Sequence, residues 1–150
     1  MATTASLEPD VCNCLAARQA ARHITQFYDQ YLASSGLRTT QFSILAKLRR
    51  LGPMTINRLA REMVMDRTTL GRNILPLERD GLIAVEQGSS DRRSKELRVT
   101  KAGEARFRAG VKGWVQAQRQ FEKVFGAKRT ADMRALLHAV ASTDLSSAAV

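Results

Sequence analysis

Two groups of side chains are of the types that bind nucleic acid, and the first lies on a predicted helix. At 100° per residue, Thr68 and Arg72 point away from the apolar side of that helix, with Thr69 on one flank. Arginine can bond bidentately to guanine, and threonine can bond a base edge or touch a thymine methyl. Arg67 and Asn73 lie beside this face and can reach phosphate. An exposed polar face on an ordinary core helix has the same appearance, so this group alone leaves both interpretations open.

The second group is a polar, basic segment between two predicted strands, residues 87–94, which contains Asp91, Arg92 and Arg93. An arginine at the tip of a short hairpin suits the narrow minor groove, where the negative potential is enhanced. We expect Asp91 to hold a guanidinium in a fixed pose. A solvated loop is the commoner explanation for such a tip by itself. The helix followed by the hairpin, on a basic chain, favours a DNA-binding surface.

The charge of the chain agrees with a polyanionic partner. Among 150 residues, 24 Lys and Arg face 14 Asp and Glu, which gives a net charge of +10 and a pI near 10.6. The excess is concentrated in residues 36–101, which carry fourteen basic and seven acidic side chains. The length suits one domain, and the 5% aromatic content predicts a core of aliphatic side chains.

Apolar periodicity and turn residues predict the order α-α-α-α-β-β-α-α. The expected bounds are helices at about 9–33, 39–51, 56–63, 67–80, 100–125 and 128–141, with strands at 82–86 and 95–99. The expected helix caps are Thr39 or Thr40, Thr55, Asp66 and Thr100. We expect Leu70, Ile74 and Leu77 to form the buried side of the fourth helix. The corresponding residues of the sixth helix are Met133, Leu136, Leu137 and Val140.

Three short helices followed by a hairpin form a winged helix, so the predicted fold class is mainly α. An α+β winged helix-turn-helix core, residues 36–101, carries the DNA-binding surface. Long flanking helices, residues 9–35 and 102–142, form a helical dimerisation region around it. Residues 1–8 and 143–150 are expected to be flexible tails of this single domain.

Three sequence runs resemble the MarR family of bacterial transcription regulators. They are L-E-R-D-G-L-I at 77–83, S-S-D-R-R-S-K at 89–95 and L-R-V-T-K-A-G at 97–103. The Asp-x-Arg formed by Asp91 and Arg93 is similar to the wing signature of that family. The resemblance implies a homodimer paired through the first, fifth and sixth helices. It also implies binding to a pseudo-palindromic operator in double-stranded DNA, with release when a small molecule or an oxidant acts.

The first helix resembles the organic-hydroperoxide-sensing branch of the family. Cys14 and Tyr28 match a reactive cysteine and a tyrosine fourteen residues later, while Thr39 stands where that branch has a second tyrosine. A sensor thiol needs exposure and surroundings that favour the thiolate, which a helix N-terminus and Arg18 can supply.

Other interpretations of this helix remain open. Cys12 and Cys14 point to opposite sides of a helix, so a disulfide between them is strained unless the helix starts later. An interchain disulfide is a second possibility, and two small buried apolar residues are a third. Arg18 and Arg22 at the rim of a pocket would instead favour an anionic effector such as an aromatic acid.

Several classes of protein are not expected. No apolar run is long enough to cross a membrane, residues 1–9 lack the features of a secretory signal, and we expect a cytoplasmic protein. Two histidines and two neighbouring cysteines argue against a metal site, and no cofactor is expected. No catalytic motif is found, so we expect no enzyme. We expect a sequence-specific regulator that acts as a repressor. The alternative is a non-specific basic architectural protein that binds nucleic acid.

Overall fold

The computed structural model describes residues 8–146 and is mostly helical, with one small sheet. Its elements are α1 (Asn13–Leu32), α2 (Thr39–Leu51), β1 (Met54–Thr55), α3 (Ile56–Met63), α4 (Arg67–Arg79), β2 (Ile83–Gln87), β3 (Lys95–Val99), α5 (Lys101–Phe125) and α6 (Ala127–Ser142), with short 3-10 turns at Pro9–Val11 and Ala33–Ser35. This arrangement confirms the predicted mainly α winged-helix fold. The predicted tails lie largely outside the described residues.

The sheet has three antiparallel strands in the order β1-β3-β2, one more than the predicted hairpin. The additional strand, β1, has two residues, and its buried Met54 pairs with Leu97 of β3. Two residues are too few to show the alternation that identifies a strand in a sequence. The strand closes the sheet against the start of α3.

Three predicted helix caps are confirmed, and they fix the helices that carry the site. The Thr55 hydroxyl accepts the Arg58 N–H of α3 at 3.2 Å, and the Thr100 hydroxyl accepts the Gly103 N–H of α5 at 3.0 Å. Asp66 caps α4. The core that these helices share is aliphatic. Its most deeply buried side chains are Leu32, Ile44, Leu45, Met54, Leu59, Leu70, Leu77 and Ile83.

The first helix begins later than predicted. The chain leaves the helical conformation at Cys12, whose backbone is extended and whose Sγ accepts the Leu15 N–H at 3.4 Å. Cys12 is therefore the N-cap of α1, while Cys14 lies in its first turn. The second helix also differs, because Thr39 lies inside α2. Its N-cap is Arg38, whose N–H donates to the Gln41 side chain at 3.0 Å.

Three glycines in α5 mark close helix packing, and the helix is continuous through them. A Cβ at Gly103 would overlap the Leu82 carbonyl oxygen, and one at Gly113 would overlap the Tyr31 carbonyl oxygen. A Cβ at Gly110 would lie 3.0 Å from the Phe42 ring. Side chains at these positions would push α5 away from α1 and from the winged-helix core.

The predicted burial of the apolar stripe on α6 is wrong for the single chain. Leu136, Leu137 and Val140 are 68%, 48% and 63% exposed, and Met133 is half-buried. Apolar periodicity identifies such a stripe, but it does not show what covers it. Within one chain, α6 packs against α5 and leaves this stripe facing solvent.

Candidate nucleic-acid interface

The start of α4 is held by one carboxylate that binds the same residue twice. Asp66 Oδ1 accepts the Thr69 N–H at 2.8 Å, and Asp66 Oδ2 accepts the Thr69 hydroxyl at 2.6 Å. The hydrogen bond from the Thr69 side chain, followed by that from its backbone, lowers the pKa of Asp66. The cap is therefore charged at neutral pH and complements the positive end of the helix.

The opposite side of α4 is anchored in the core, so the helix presents a fixed outer face. Leu70, Ile74 and Leu77 are buried as predicted. The helix continues through Pro76 and ends after Arg79. Because the buried stripe determines the rotation of the helix, the residues between the stripe positions must face outward.

The five predicted α4 residues fall into two groups. Arg67, Thr68 and Arg72 are exposed. Thr69 is also exposed, but its hydroxyl is engaged with Asp66, and Asn73 is half-buried and donates to the Thr69 carbonyl at 2.9 Å. The side chains of Arg67, Thr68 and Arg72 therefore make no hydrogen bond within the described part of the chain.

The wing tip is ordered by hydrogen bonds to its backbone. Asp91 Oδ1 accepts the Arg93 N–H at 2.9 Å, and the Ser94 hydroxyl donates to the Asp91 carbonyl at 2.9 Å. The Gly88 N–H donates to the Ser94 carbonyl at 2.8 Å and closes the loop. The expectation that Asp91 holds a guanidinium is therefore corrected, because its carboxylate holds the backbone of Arg93. The side chains of Arg92 and Arg93 are exposed.

The arginines of this surface take no part in ion pairs, as is true of most Lys and Arg side chains in residues 8–146. On the stem of the wing, Arg98 pairs with Glu86 at 2.6 Å, and this contact lowers the pKa of Glu86. No ion pair among residues 8–146 involves the arginines of the outer α4 face or of the wing tip, which are Arg67, Arg72, Arg92 and Arg93. These four guanidinium groups are available to phosphate or to base edges without first breaking an internal pair.

A polar cleft of about 460 Å³ connects α4 to the start of α2 and to α1. Arg72 and Asn73 line one side, and Arg38 lines another. Arg38 was not among the predicted site residues. Its position directly before a predicted helix cap was the available signal, because residues at a helix start often lie close to an anionic partner.

The predicted sensor residues are not brought together within one chain. Cys12 and Cys14 are exposed, and Arg18 and Arg22 are exposed further along α1. Tyr28 is fourteen residues from Cys14, which corresponds to about 21 Å along a helix axis. The thiol of Cys14 therefore cannot reach the phenol of Tyr28 in the same α1.

Tyr28 instead joins α1 to α5. Its hydroxyl donates to Gln118 Oε1. Burial raises the pKa of Tyr28, with a smaller opposing effect from Arg134 and a smaller reinforcing effect from Glu122. The phenol is therefore protonated at neutral pH and acts here as a hydrogen-bond donor.

A larger cleft of about 730 Å³ lies between α2, α3, α5 and α6. Phe42 and Trp114 supply aromatic walls, and Lys47, Arg50 and His138 supply basic groups. The volume lies in the range of small-molecule sites. Among the described residues, no group of three or more His, Cys, Asp or Glu side chains could hold a metal ion. Across residues 8–146, every helix is too short or too polar to span a bilayer.

Comparisons of the sequence with protein families and of the structure with solved structures indicate the same class of protein. Residues 37–95 match the MarR family. The structure is similar to that of the M. tuberculosis transcriptional regulator MosR in complex with DNA, at 36% identity and a TM-score of 0.74, with 86% of this chain and 96% of that chain covered.

Two further relatives match a shorter part of the sequence. The uncharacterized HTH-type transcriptional regulator YwoH of Bacillus subtilis is 34% identical over 59% of this chain and 64% of its own length. The transcriptional activatory protein BadR of Rhodopseudomonas palustris is 33% identical over 57% of this chain and 50% of its own length. The chain thus spans less than two thirds of the length of either relative.

Proposed function

The chain belongs to the MarR family of DNA-binding transcriptional regulators, which are not enzymes, and from this premise we propose that it is a homodimeric repressor that binds a pseudo-palindromic operator sequence-specifically. The observation that carries the proposal is the outer face of α4. Arg67, Thr68 and Arg72 are exposed there on a helix whose other side is fixed in the core. The proposed compartment is the cytoplasm.

In the proposed complex, α4 enters the major groove and the wing lies over the adjacent backbone and minor groove. Thr68 and Arg72 read base edges, while Arg67 binds phosphate. Arg92 and Arg93 bind from the wing. Thr69 and Asn73 remain candidate DNA contacts, because each side chain keeps hydrogen-bonding groups that its bond within α4 does not use.

The exposed apolar stripe of α6 supports the homodimer. A stripe of this kind on a long terminal helix favours burial against a second protein surface. In the proposed dimer, residues 9–35 and 102–142 pair the two chains, and residues 36–101 of each chain face one half of the operator. A two-fold axis in the protein then requires two-fold symmetry in the DNA.

A small anionic aromatic effector is one proposed cause of release from DNA. The larger cleft supports it, since the partly exposed Trp114 can stack on an aromatic ring and Arg50 can pair with a carboxylate. Arg18 and Arg22 were the predicted rim of such a pocket, but other residues line this cleft. An effector bound here contacts α2 and α5 together, and a shift of one helix against the other would move α4.

Oxidation of a thiol is the other proposed cause of release. Both cysteines are exposed, and Cys12 caps α1 from outside the helix. Two cysteines at this spacing point to opposite sides only when both lie in a helix. Because Cys12 lies outside α1, this restriction on a disulfide does not apply here. A disulfide between Cys12 and Cys14 would remove the Sγ acceptor from its present geometry and loosen the first turn of α1.

The proposal is tested by titrating the DNA upstream of the gene with purified protein, with random duplex as competitor. The titration is run on reduced protein and after a mild organic peroxide, with Cys12→Ser and Cys14→Ser as controls. Specific binding that oxidation abolishes in the wild type but not in a serine variant supports thiol sensing. Specific binding that oxidant does not change supports an effector in the cleft.

The competing function is non-specific binding of nucleic acid by a basic architectural protein. The net charge of +10 favours general binding to a polyanion. Equal competition by random duplex and by every upstream fragment tested would support that function and contradict the proposed one.

A further inference from the structure

The nine glycines of the chain all lie in the described residues, and eight of them have an evident role within the protein. Four have a positive φ, where a side chain would be strained: Gly36, Gly52, Gly81 and Gly126. Four would place a Cβ against neighbouring atoms: Gly88, Gly103, Gly110 and Gly113. The ninth, Gly71, has no positive φ, and apart from its chain neighbours and the nearby backbone of its own helix no atom lies within 4 Å of the position that a Cβ would take.

Gly71 lies in the interior of α4, where it disfavours the helix. A glycine in a helix interior makes unfolding about fivefold more favourable than an alanine at the same position. The open space around Gly71 shows that an alanine would fit the unbound protein. The described structure therefore contains no packing or backbone reason for a glycine at this position.

Gly71 is half-buried and lies on the flank of the outer face that carries the proposed DNA contacts. It comes one helical turn after Arg67 and Thr68, and one turn before Leu75. All three of these side chains are exposed. The absence of a side chain at position 71 therefore leaves a gap on the outside of α4 between longer residues.

We propose that the edge of an operator base pair occupies this gap in the major groove, so close to the α4 backbone that a Cβ cannot be accommodated. The inference rests on the proposed function and adds Gly71 to it as a residue that determines specificity. A close approach of backbone to ligand is one of the positions where glycine is required. Arg67, Thr68 and Arg72 then hold the helix at the depth where this contact forms.

The test uses Gly71→Ala and Gly71→Ser in the full-length protein, with a duplex that the wild type has selected from a random library. We expect the equilibrium constant for unfolding of Gly71→Ala to fall by about two- to fivefold in urea denaturation. We expect its affinity for the selected duplex to fall by about tenfold or more, and its affinity for random duplex to stay the same. Gly71→Ser should lose affinity in the same way, since its Cβ occupies the same space.

The salt dependence of binding supplies an internal control. Neither variant removes a charge, so the slope of log affinity against log salt should match that of the wild type. If Gly71 were required for the structure, Gly71→Ala would be less stable than the wild type. A gain in stability together with a loss of specific binding therefore indicates a role in DNA binding.

Three results would overturn the inference. The first is wild-type affinity of both variants for the selected duplex. The second is a Gly71→Ala protein less stable than the wild type. The third is an equal loss on selected and random duplex, which would place the close approach at the sugar-phosphate backbone. If the wild type itself selects no sequence, the proposed function fails before Gly71 is at issue.

Discussion

Asp29 of α1 accepts two hydrogen bonds from Thr39, the first residue of α2, one from the backbone N–H and one from the hydroxyl, each at 2.7 Å. The carboxylate joins the proposed dimerisation helix to the start of the winged-helix unit. It also lines the cleft that Arg72 reaches from α4. Thr39 is the position where the hydroperoxide-sensing branch has a second tyrosine, and here its hydroxyl is held by its own chain.

Loss of the two hydrogen bonds between Asp29 and Thr39 should lower the stability of the protein. Asp29→Ala leaves two half-buried donors without their acceptor, and we expect a loss of about 1–3 kcal/mol in the free energy of unfolding. Thr39→Val removes only the hydroxyl donor and should lose less. Urea denaturation of both single variants and the double variant measures the coupling, and fully additive losses would contradict a direct interaction between the two residues.

Arg72 should determine sequence preference. Arg72→Ala should reduce the discrimination between the selected duplex and its base-pair variants by about 1–3 kcal/mol at the position that the guanidinium reads. Arg72→Lys keeps the charge but not the bidentate geometry, so it should retain non-specific affinity and lose the preference. Competition binding with a panel of point-substituted duplexes measures this, and an unchanged preference in Arg72→Ala would exclude base reading by Arg72.

Arg93 should contribute through charge at the wing. Arg93→Ala should weaken binding to all duplexes and reduce the salt slope by about 1. Lys128→Ala is a matched control, because it removes a cation that is paired with Asp132 at 2.6 Å on α6. The control should leave the slope unchanged, and equal slopes for Arg93→Ala and the wild type would contradict the wing contact.

Asp91 should act on the conformation of the wing tip. Asp91→Ala removes the acceptor of the Arg93 N–H, so DNA affinity should fall while the urea midpoint stays within the range of an ordinary surface substitution. Asp91→Asn retains a side-chain oxygen in the same position and should keep more of the affinity. If Asp91→Asn lost as much affinity as Asp91→Ala, the carboxylate charge rather than the hydrogen bond would be required.

Glu104 should make stability depend on pH. Arg49 binds it bidentately at 2.6 and 2.7 Å, and this hydrogen bonding lowers the pKa of Glu104 below its ordinary value of 4.5. A lowered folded-state pKa means that the stabilisation is present above the unfolded-state value and is lost as pH falls through the folded-state value. The stability difference between the wild type and Glu104→Gln should therefore be largest near neutral pH and should shrink in acid. A difference that does not change with pH would contradict the ion pair.

Local signals in the sequence predicted the helices of the winged-helix unit well. The Asp66 cap and the stripe of Leu70, Ile74 and Leu77 determine both the start and the rotation of α4, because capping and periodicity depend on neighbouring residues. The exposed positions of Arg67 and Arg72 follow from that rotation. The α4 part of the candidate site can therefore be predicted from the sequence without tertiary information.

Features that depend on distant partners were not predicted. The two-residue β1 exists only through its pairing with β3, and the exposure of Leu136 depends on whether another surface covers α6. The late start of α1 was missed for a local reason, because its cap is the Cys12 Sγ, a weak acceptor that lies outside the usual set of capping residues. The role proposed for Gly71 rests on the backbone φ and the surrounding space of each glycine, which the sequence does not give.

Sequence-specific recognition is best tested by selection from a random duplex library with the purified wild-type protein. We expect repeated selection to enrich one pseudo-palindromic sequence with half-sites about one helical turn apart. We also expect random duplex to compete poorly against the enriched sequence. A library that stays unenriched, with random duplex competing equally at every salt concentration, would show that the protein does not recognise a specific sequence.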